Sequence, residues 1–491
     1  GAGGSKILNS TGATISVGEE GVALYGANTL NTSTLGDKTI SVTNAGTLKN
    51  IDGKTKIFGI FAENDLTKNA DLSKSTLTNS GTIDFSNSQE SIGIHSVNST
   101  VLNTGKINIG LKGVAINAKN SNITSSGDIT LAGNGVAFNL GGTFTGRTLN
   151  FSSKVTLNGT GNSIFNLKDM TFNSVGASLT ENVNIVQNEK SFTYFSLDNS
   201  SLIYDRDKTF SGNKLTLVSA KNSTVDWQSN VTLNGEENVA FYLNGTKAGT
   251  AIYIGNNGGA NPSTVTIGSG ANILLKGENG VGAIVTKNST VNFNPGSTIE
   301  LQGTGVGLFG QKGAVINDNG GTFNNNGYSA ERIRITGGIS RTTANTTLTT
   351  GNVLTHVING EAVIDAGVTV NAAAGSQNII GLLADGNRDD NDTSVTWIYR
   401  DAANPDNNYD TVNLGTIDFT NATSATGMYL ESARGKNSGD IKVGNSSTGI
   451  YGIYKNSTSK FDGVTPNKSV ILNDTGKNIE IEVEKAKLLA E

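Results

Sequence analysis

Apolar and polar residues alternate along most of the chain, in short runs separated by glycine and asparagine. The stretch 76–140 shows this best, because two kinds of alternating run return there in the same order. A period of two is what a half-buried β-strand requires, since successive side chains point to opposite faces. No run with helical spacing lies between them. The pattern therefore predicts consecutive short strands.

The runs recur at a nearly constant interval of about 20–25 residues, and glycines mark the corners between them. Strand units that repeat at this period without helices are typical of a solenoid. We predict an all-β fold, a right-handed parallel β-helix with one three-strand turn per unit, whose hand follows the general preference of parallel connections. The two corner series are Gly81, Gly105 and Gly127, and Gly93, Gly113 and Gly135.

Superposition of the units places like residues on like residues in continuous columns. The alternation puts Val114 inside the core and Ala115 outside it. Asn79 falls on Asn103, and we expect stacked asparagines at this corner to form a ladder of amide hydrogen bonds. Asparagine also tolerates the left-handed backbone angles that corners require.

Composition narrows the class of protein. The chain of 491 residues has 63 glycines but only 4 prolines, and 16% of its residues are charged, which does not fit a disordered tract. A net charge of −5 gives no electrostatic support to nucleic-acid binding. The absence of cysteine excludes disulfides and thiolate chemistry. Without a signal peptide, a long apolar run or a membrane-barrel pattern, we expect an internal piece of a longer protein.

Four stretches depart from the repeat, near residues 65–75, 181–230, 323–358 and 385–410. We predict one continuous β-helix over residues 1–491, from which these stretches leave as loops or small hairpins.

Several sequence runs resemble the passenger regions of type V autotransporters, most of all the very large fusobacterial outer-membrane adhesins. The runs are NSGTID, NTGKIN, NSGDIK and GIYGIYKNS, and the resemblance covers most of the chain outside the irregular stretches. It implies a place on the bacterial cell surface and attachment to the outer membrane through a barrel that this chain does not contain. The implied partners are host-cell glycans, host protein receptors including those of immune cells, or other bacteria.

Aromatic residues concentrate in the irregular stretches, and we predict that they contact these partners. Trp397 and Tyr399 share one face if they lie on a strand, and Arg400 flanks them. Two alternatives stay open: the aromatic rings attach the excursions to the solenoid, or the arginines are ordinary outward residues of a strand. The other candidates are Tyr409, Tyr194, Tyr204, Trp227, Tyr328, Arg332 and Arg334.

The sequence contains few candidate ligands for a metal ion, and no cofactor is predicted. The composition of DGNRDDND resembles a calcium loop, but its spacing fits neither an EF-hand nor a calcium-binding β-roll, which favours a solvated acidic loop. Two histidines far apart, His95 and His356, do not predict a metal site or a catalytic triad. The weak calcium candidates are Asp385, Asp389, Asp390 and Asp392.

Outward acids raise the alternative of a polysaccharide-degrading β-helix enzyme, which needs two carboxylates about 5–9.5 Å apart. Asp84 aligns with Asn108 on the next unit, so no acidic pair is stacked there. We therefore predict a non-enzymatic adhesin fragment, a rigid rod that presents loops for binding. A further alternative is a pure stalk, with binding carried by another part of the protein.

Overall fold

The computed structural model describes residues 5–28, 39–64, 75–144, 146–174, 179–187, 191–212, 214–227, 229–234, 239–244, 264–286, 289–311, 313–385, 409–453, 470–473 and 479–481. These residues form 48 strands, and no helix occurs among them. None of the described residues therefore belongs to a helix that could cross a membrane.

The strands of the first half of the chain are β1 (Ser5–Asn9), β2 (Thr14–Val17), β3 (Val22–Asn28), β4 (Ile40–Asn44), β5 (Thr47–Asn50), β6 (Phe58–Asn64), β7 (Ser75–Asn79), β8 (Thr82–Phe85), β9 (Ile92–Val97), β10 (Thr100–Asn103), β11 (Lys106–Ile109), β12 (Val114–Lys119), β13 (Asn122–Ser125), β14 (Ile129–Leu131), β15 (Val136–Thr143), β16 (Leu149–Phe151), β17 (Lys154–Leu157), β18 (Asn162–Asn173), β19 (Leu179–Glu181), β20 (Asn184–Gln187), β21 (Phe192–Asp198), β22 (Ser201–Tyr204), β23 (Lys208–Ser211) and β24 (Thr216–Lys221). Those that follow are β25 (Thr224–Trp227), β26 (Asn230–Asn234), β27 (Val239–Asn244), β28 (Thr264–Ile267), β29 (Asn272–Lys276), β30 (Gly280–Thr286), β31 (Thr290–Phe293), β32 (Thr298–Gln302), β33 (Gly305–Gly310), β34 (Val315–Asp318), β35 (Thr322–Asn324), β36 (Ala330–Thr342), β37 (Thr346–Leu348), β38 (Asn352–Ile364), β39 (Thr369–Ala372), β40 (Ile380–Asp385), β41 (Thr411–Asn413), β42 (Thr416–Phe419), β43 (Thr426–Glu431), β44 (Arg434–Asn437), β45 (Asp440–Val443), β46 (Thr448–Ile453), β47 (Val470–Asn473) and β48 (Ile479–Ile481).

The chain divides into two compact units, residues 1–203 with 215–219, and residues 204–214 with 220–491. In the first unit each strand pairs with the strand three places further along the chain. One seven-stranded sheet has the order β1-β4-β7-β10-β13-β16-β19, and a second has the order β2-β5-β8-β11-β14-β17-β20. In the third sheet β3, β6, β9, β12, β15, β18 and β21 pair in that order, all parallel. This is a parallel β-solenoid with three strands per turn, as predicted.

The second unit repeats this arrangement. It has two five-stranded sheets, β23-β26-β29-β32-β35 and β37-β39-β42-β45-β48. Another face carries β27, β30, β33, β36, β38, β40, β43 and β46, which pair in that order and in parallel. We call these eight strands the eight-strand face.

Two of the stretches predicted to leave the solenoid contribute strands to its sheets. Strands β36 and β38, of 13 residues each, cover most of 323–358 and pair with one another in parallel. The stretch 181–230 contributes β20 to β25 and the start of β26. Residues 65–74 and 386–408 lie outside the described residues, so the excursions predicted there stay predictions.

The predicted orientation of Val114 and Ala115 is wrong. Ala115 is buried and Val114 is half-buried on the outer face, while Ile116 also points inward. Two consecutive residues face the core at a point where the ladder is interrupted: Val114 pairs with Ile92 and Ile116 with Ile94, but Ala115 and Gly93 between them form no pair. A Cβ on Gly93, the equivalent of Ala115, would lie 2.6 Å from the Ala115 carbonyl oxygen. Gly93 therefore does not stack on Gly113, and the predicted corner series of Gly93, Gly113 and Gly135 is wrong at its first member.

The predicted asparagine ladder is confirmed. Inside the first unit, Asn9 Nδ2 donates to Asn44 Oδ1, Asn44 Nδ2 to Asn79 Oδ1 and Asn79 Nδ2 to Asn103 Oδ1, each over 2.8 Å. Asn103 Nδ2 donates in turn to Ser125 Oγ over 3.1 Å. All five side chains are buried. Each amide in the ladder therefore depends on its neighbours for partners that water cannot supply.

We expect Asn79→Ala to lower the free energy of unfolding by about 2 kcal/mol, because it leaves a buried donor on Asn44 and a buried acceptor on Asn103 without a partner. Chemical denaturation followed by circular dichroism measures the change. Asn108→Ala is the matched control, since Asn108 faces outward on β11 and should change stability by less than about 0.5 kcal/mol. Equal effects of the two variants would contradict the structural role of the ladder.

Candidate functional site

Several predicted site residues lie outside the described part of the chain. These are Trp397, Tyr399 and Arg400, together with the calcium candidates Asp389, Asp390 and Asp392. Their proposed roles stay predictions. The fourth calcium candidate, Asp385, ends β40. Over the described ranges, no three side chains of His, Cys, Asp or Glu come together as a metal site.

Four of the aromatic candidates lie in the interior. Tyr194, Tyr204 and Trp227 are at most 1% exposed, and Tyr409 is 6% exposed. The Tyr204 and Trp227 rings stack with centroids 4.5 Å apart, and Trp227 Nε1 donates to the Ser229 carbonyl over 3.0 Å. From these positions the rings cannot contact a partner outside the solenoid. Their placement favours the alternative in which they hold their segments in the stack.

Arg332 is also buried, and the expectation of an outward arginine at this position needs correction. Its Nε and Nη2 donate to the two carboxylate oxygens of Asp318, each over 2.7 Å, and its guanidinium lies 5.2 Å from the centroid of the Phe293 ring. Nη2 also donates to the Gly321 carbonyl. Strand β36 places two consecutive residues, Arg332 and Ile333, toward the core, which the simple alternation of ERIRIT did not reveal.

Arg334 does point outward, and it belongs to a group of charged side chains on the eight-strand face. Its Nε and Nη2 donate to the two oxygens of Glu331, over 2.5 and 2.6 Å. His356 Nδ1 lies 3.0 Å from Glu331 Oε1, and His356 Nε2 lies 3.9 Å from Asp385 Oδ2. We call these four residues the Glu331 cluster. Tyr328, 45% exposed, lies in the turn that precedes β36.

The cluster keeps Glu331 ionised. Burial alone would raise the pKa of its carboxyl group, but hydrogen bonds from His356 and Arg334 outweigh burial and hold that pKa below its usual value. The hydrogen bond to Glu331, only partly offset by burial, raises the pKa of Arg334 in turn. The result is a fixed carboxylate and a fixed guanidinium, paired side by side on an outer face.

A shallow groove of about 340 Å³ lies beside the cluster. It crosses β30, β33, β36 and β38, so it runs from turn to turn of the stack. Its walls and floor include Val281, Val306, Val353 and the half-buried ring of Phe309, and Glu331 and Arg334 also line it. The groove thus combines apolar surface with one fixed donor and one fixed acceptor, which is the usual composition of a binding site.

Two outward acids, Asp84 and Asp418, do not stack on an acid of the next turn. The register places Asp84 beside Asn108 and Asp418 beside Lys442. Glycoside hydrolysis requires one carboxyl group with a raised pKa as its general acid. Glu331, with its lowered pKa, has the opposite property. Glu331 therefore does not have the property that a general acid needs.

The sequence did not reveal Phe309, Glu331 and His356 as parts of a site. One signal was present: a large residue often stands two positions after the corner glycine, as Phe309 stands after Gly307 and Tyr429 after Gly427. Such residues face outward in the same column of the eight-strand face. The pairing of charges across strands has no comparable signal, because it depends on register.

The first unit carries a polar column at the equivalent outward position. Asn139 Nδ2 donates to Asn117 Oδ1 over 2.7 Å, and Asn117 Nδ2 lies 2.8 Å from His95 Nδ1. Because an amide nitrogen can only donate, His95 Nδ1 must accept and therefore carries no proton. The His95 ring stacks on Phe61 with centroids 4.4 Å apart. His95 thus ends this outer column of hydrogen-bonded amides. On its other side the rings of Phe61 and Tyr25 continue the column as an aromatic stack.

We expect the first unit to lose stability in mild acid because of His95. Burial lowers the pKa of its imidazole, and the Glu63 carboxylate 3.8 Å away offsets only part of this. The unfolded chain then binds the proton more readily, so stability should fall as the pH drops below about 6.5, the usual value for histidine, until the folded pKa is passed.

Denaturation of the parent and of His95→Asn at about pH 7.5 and about pH 5 measures this contribution. The asparagine cannot titrate, and it extends the outer column of Asn117 and Asn139 by one amide. The variant should therefore show a smaller loss of stability in acid than the parent. The same loss in both proteins would exclude His95 as its source.

No protein family that was compared matches the chain, and no curated protein is similar to it.

Proposed function

We propose that this chain is part of an autotransporter-type adhesin passenger on a bacterial surface, anchored to the outer membrane by a barrel outside this chain. It binds host-cell glycans, host receptors or other bacteria and catalyses no reaction. The observation that carries the proposal is the outward groove with its paired Glu331 and Arg334 on a parallel solenoid. The resemblance of the repeats to such passengers supports it, and the net charge of −5 argues against nucleic acid.

One observation supports the stalk alternative. Tyr194, Tyr204, Trp227 and Tyr409 are buried, so these aromatics add to packing within the solenoid instead of presenting contact surface. Under this alternative the chain holds a binding part of the same protein away from the cell.

A cell-binding assay separates the two functions. Purified chain is titrated onto epithelial cells, immune cells and partner bacteria, in parallel with Thr304→Arg, which fills the groove from its exposed rim. Thr322→Arg is the matched control, because Thr322 is equally exposed and lies on another sheet, in β35.

We expect Thr304→Arg to weaken binding at least about tenfold, while Thr322→Arg binds like the parent. If both variants bind as well as the parent, the binding site does not lie in the groove. If the parent binds no cell of any kind, the adhesin proposal fails and the stalk alternative takes its place.

A further inference from the structure

We propose that the groove beside the Glu331 cluster binds an uncharged oligosaccharide that lies along the stacking direction. This inference rests on the proposed function and adds the chemical class of the ligand. Three features of the groove carry it: the spacing of its lining residues, the balance of its charges and the position of its aromatic ring.

The lining residues repeat once per turn. Val281, Val306, Glu331 and Val353 occupy the same position on four neighbouring strands, in register. Neighbouring strands lie about 4.8 Å apart, whereas the side chains on one face of an extended peptide repeat at about 6.7 Å. An extended peptide in the groove would therefore lose register within two turns. A chain of pyranose rings advances by close to one strand spacing per ring, so it presents equivalent groups to each turn.

The charges in the groove favour an uncharged ligand. Of the residues that line it, only Glu331 and Arg334 are charged, and they neutralise one another through two hydrogen bonds. An acidic sugar would find no unpaired cation here and would lose hydration without compensation. Sugar hydroxyl groups both donate and accept. They can use the remaining lone pairs of the carboxylate and the remaining N–H groups of the guanidinium.

The apolar part of the groove suits the other face of a sugar. The ring of Phe309 faces outward next to Arg334 on the neighbouring strand, and the valines continue the apolar surface to either side. Aromatic rings offer a large, rigid area against which the C–H face of a pyranose can pack. Apolar side chains of β30, β33 and β38 thus flank the charged pair of β36 along the stacking direction.

Binding of defined oligosaccharides to the full chain tests the inference. The uncharged probes are linear glucose, galactose and N-acetylglucosamine oligomers from the monomer upward, and the charged probes are a sialylated trisaccharide and a heparin fragment. The variants are Phe309→Leu, which keeps an apolar side chain but removes the ring, and Glu331→Gln, which keeps the shape but removes the charge. Tyr429→Ala is the control, because Tyr429 lies in the same outward column but outside the groove.

We expect at least one uncharged series to bind more tightly as it lengthens to three or four rings. Phe309→Leu and Glu331→Gln should each weaken that binding at least about tenfold, and Tyr429→Ala should leave it unchanged. Three results would overturn the inference: preference for the charged probes, equal loss in the Tyr429→Ala control, or no binding of any uncharged probe by a chain that still binds cells. The last result leaves the adhesin proposal intact and points to a protein ligand. A chain that binds neither cells nor sugars overturns both.

Discussion

Replacing Asp318 by asparagine should lower the free energy of unfolding of the second unit by about 3–5 kcal/mol, the usual cost of breaking a buried ion pair. Arg332 is 1% exposed and Asp318 is fully buried, and two hydrogen bonds of 2.7 Å join them. The amide would leave the guanidinium charged and uncompensated in the interior. Chemical denaturation of the parent and the variant gives the difference directly.

The chain offers a matched control for this experiment. Arg341 and Asp365 form a second pair with two hydrogen bonds, of 3.2 and 2.7 Å, but Arg341 is 44% exposed. Asp365→Asn should therefore cost no more than about 1 kcal/mol, because water solvates what remains. If both substitutions cost the same, burial is not what makes the Asp318 pair important.

A double replacement distinguishes the stabilisation that the ion pair provides from the cost of leaving one unpaired charge in the interior. Asp318→Leu combined with Arg332→Met removes both charges, and we expect it to recover most of the stability that Asp318→Asn loses, since apolar replacements of buried ion pairs are often neutral. A double variant as unstable as the single one would mean that the pair itself, with its bond to the Gly321 carbonyl, determines the local packing.

The buried pair also bears on the groove. Arg332 stands between Glu331 and Arg334 on β36, so its inward anchor fixes the strand that carries both outward charges. A strand that shifted by one residue would exchange the inward and outward faces. The interior ion pair and the outer Glu331 cluster therefore depend on one register.

The sequence predicts the parallel stack well because two periods are superimposed in it. Alternation identifies the strands, and the interval of about 22 residues identifies the turns. The prediction from sequence fails where the period of two is broken. On β12 of the first unit and on β36 of the second, two consecutive residues face inward, and this reverses Val114 and Ala115 and hides Arg332.

Corner residues show a second limit. Asparagine at corners follows the expectation, with positive φ at Asn98, Asn120 and Asn199. At another corner Glu20 and Lys56 also have φ of 53°, although neither residue type favours it. Their N–H groups donate to carbonyl groups of the next turn, Glu20 to Thr55 and Lys56 to Gln89, so stacking imposes the angle. Residue preference alone could not predict these positions.

The Glu331 cluster lay beyond sequence analysis for a related reason. Its members come from three strands, β36, β38 and β40, and Glu331 and His356 are 25 residues apart. The interval between stacked residues varies, from 24 for Ile83 and Ile107 to 22 for Ile107 and Ile129, so spacing along the sequence does not show which side chains meet. Arg334 could be singled out as an outward cation, but the carboxylate that neutralises it could not.

Gly105→Ala should be among the most destabilising single substitutions in the first unit, at about 3 kcal/mol, the upper end of the usual cost of overpacking. A Cβ on Gly105 would lie 2.0 Å from the Gly81 carbonyl oxygen and 2.9 Å from the Gly81 nitrogen. Both atoms belong to backbone, and the Gly105 N–H is already bonded to the Asn79 carbonyl. The neighbouring turn cannot move aside without breaking its own ladder.

Gly18→Ala is the control that isolates this close approach. A Cβ there meets no atom within 4 Å, and Gly18 has no positive φ, so the substitution should leave stability unchanged or raise it by up to about 1 kcal/mol. If both alanines cost the same, the glycines would be needed for chain flexibility and not for contact. A large cost at Gly105 alone would mean that the recurring Asn-x-Gly motif reflects stacking distance: asparagine bonds to the next turn, and glycine lets that turn come close enough to be bonded.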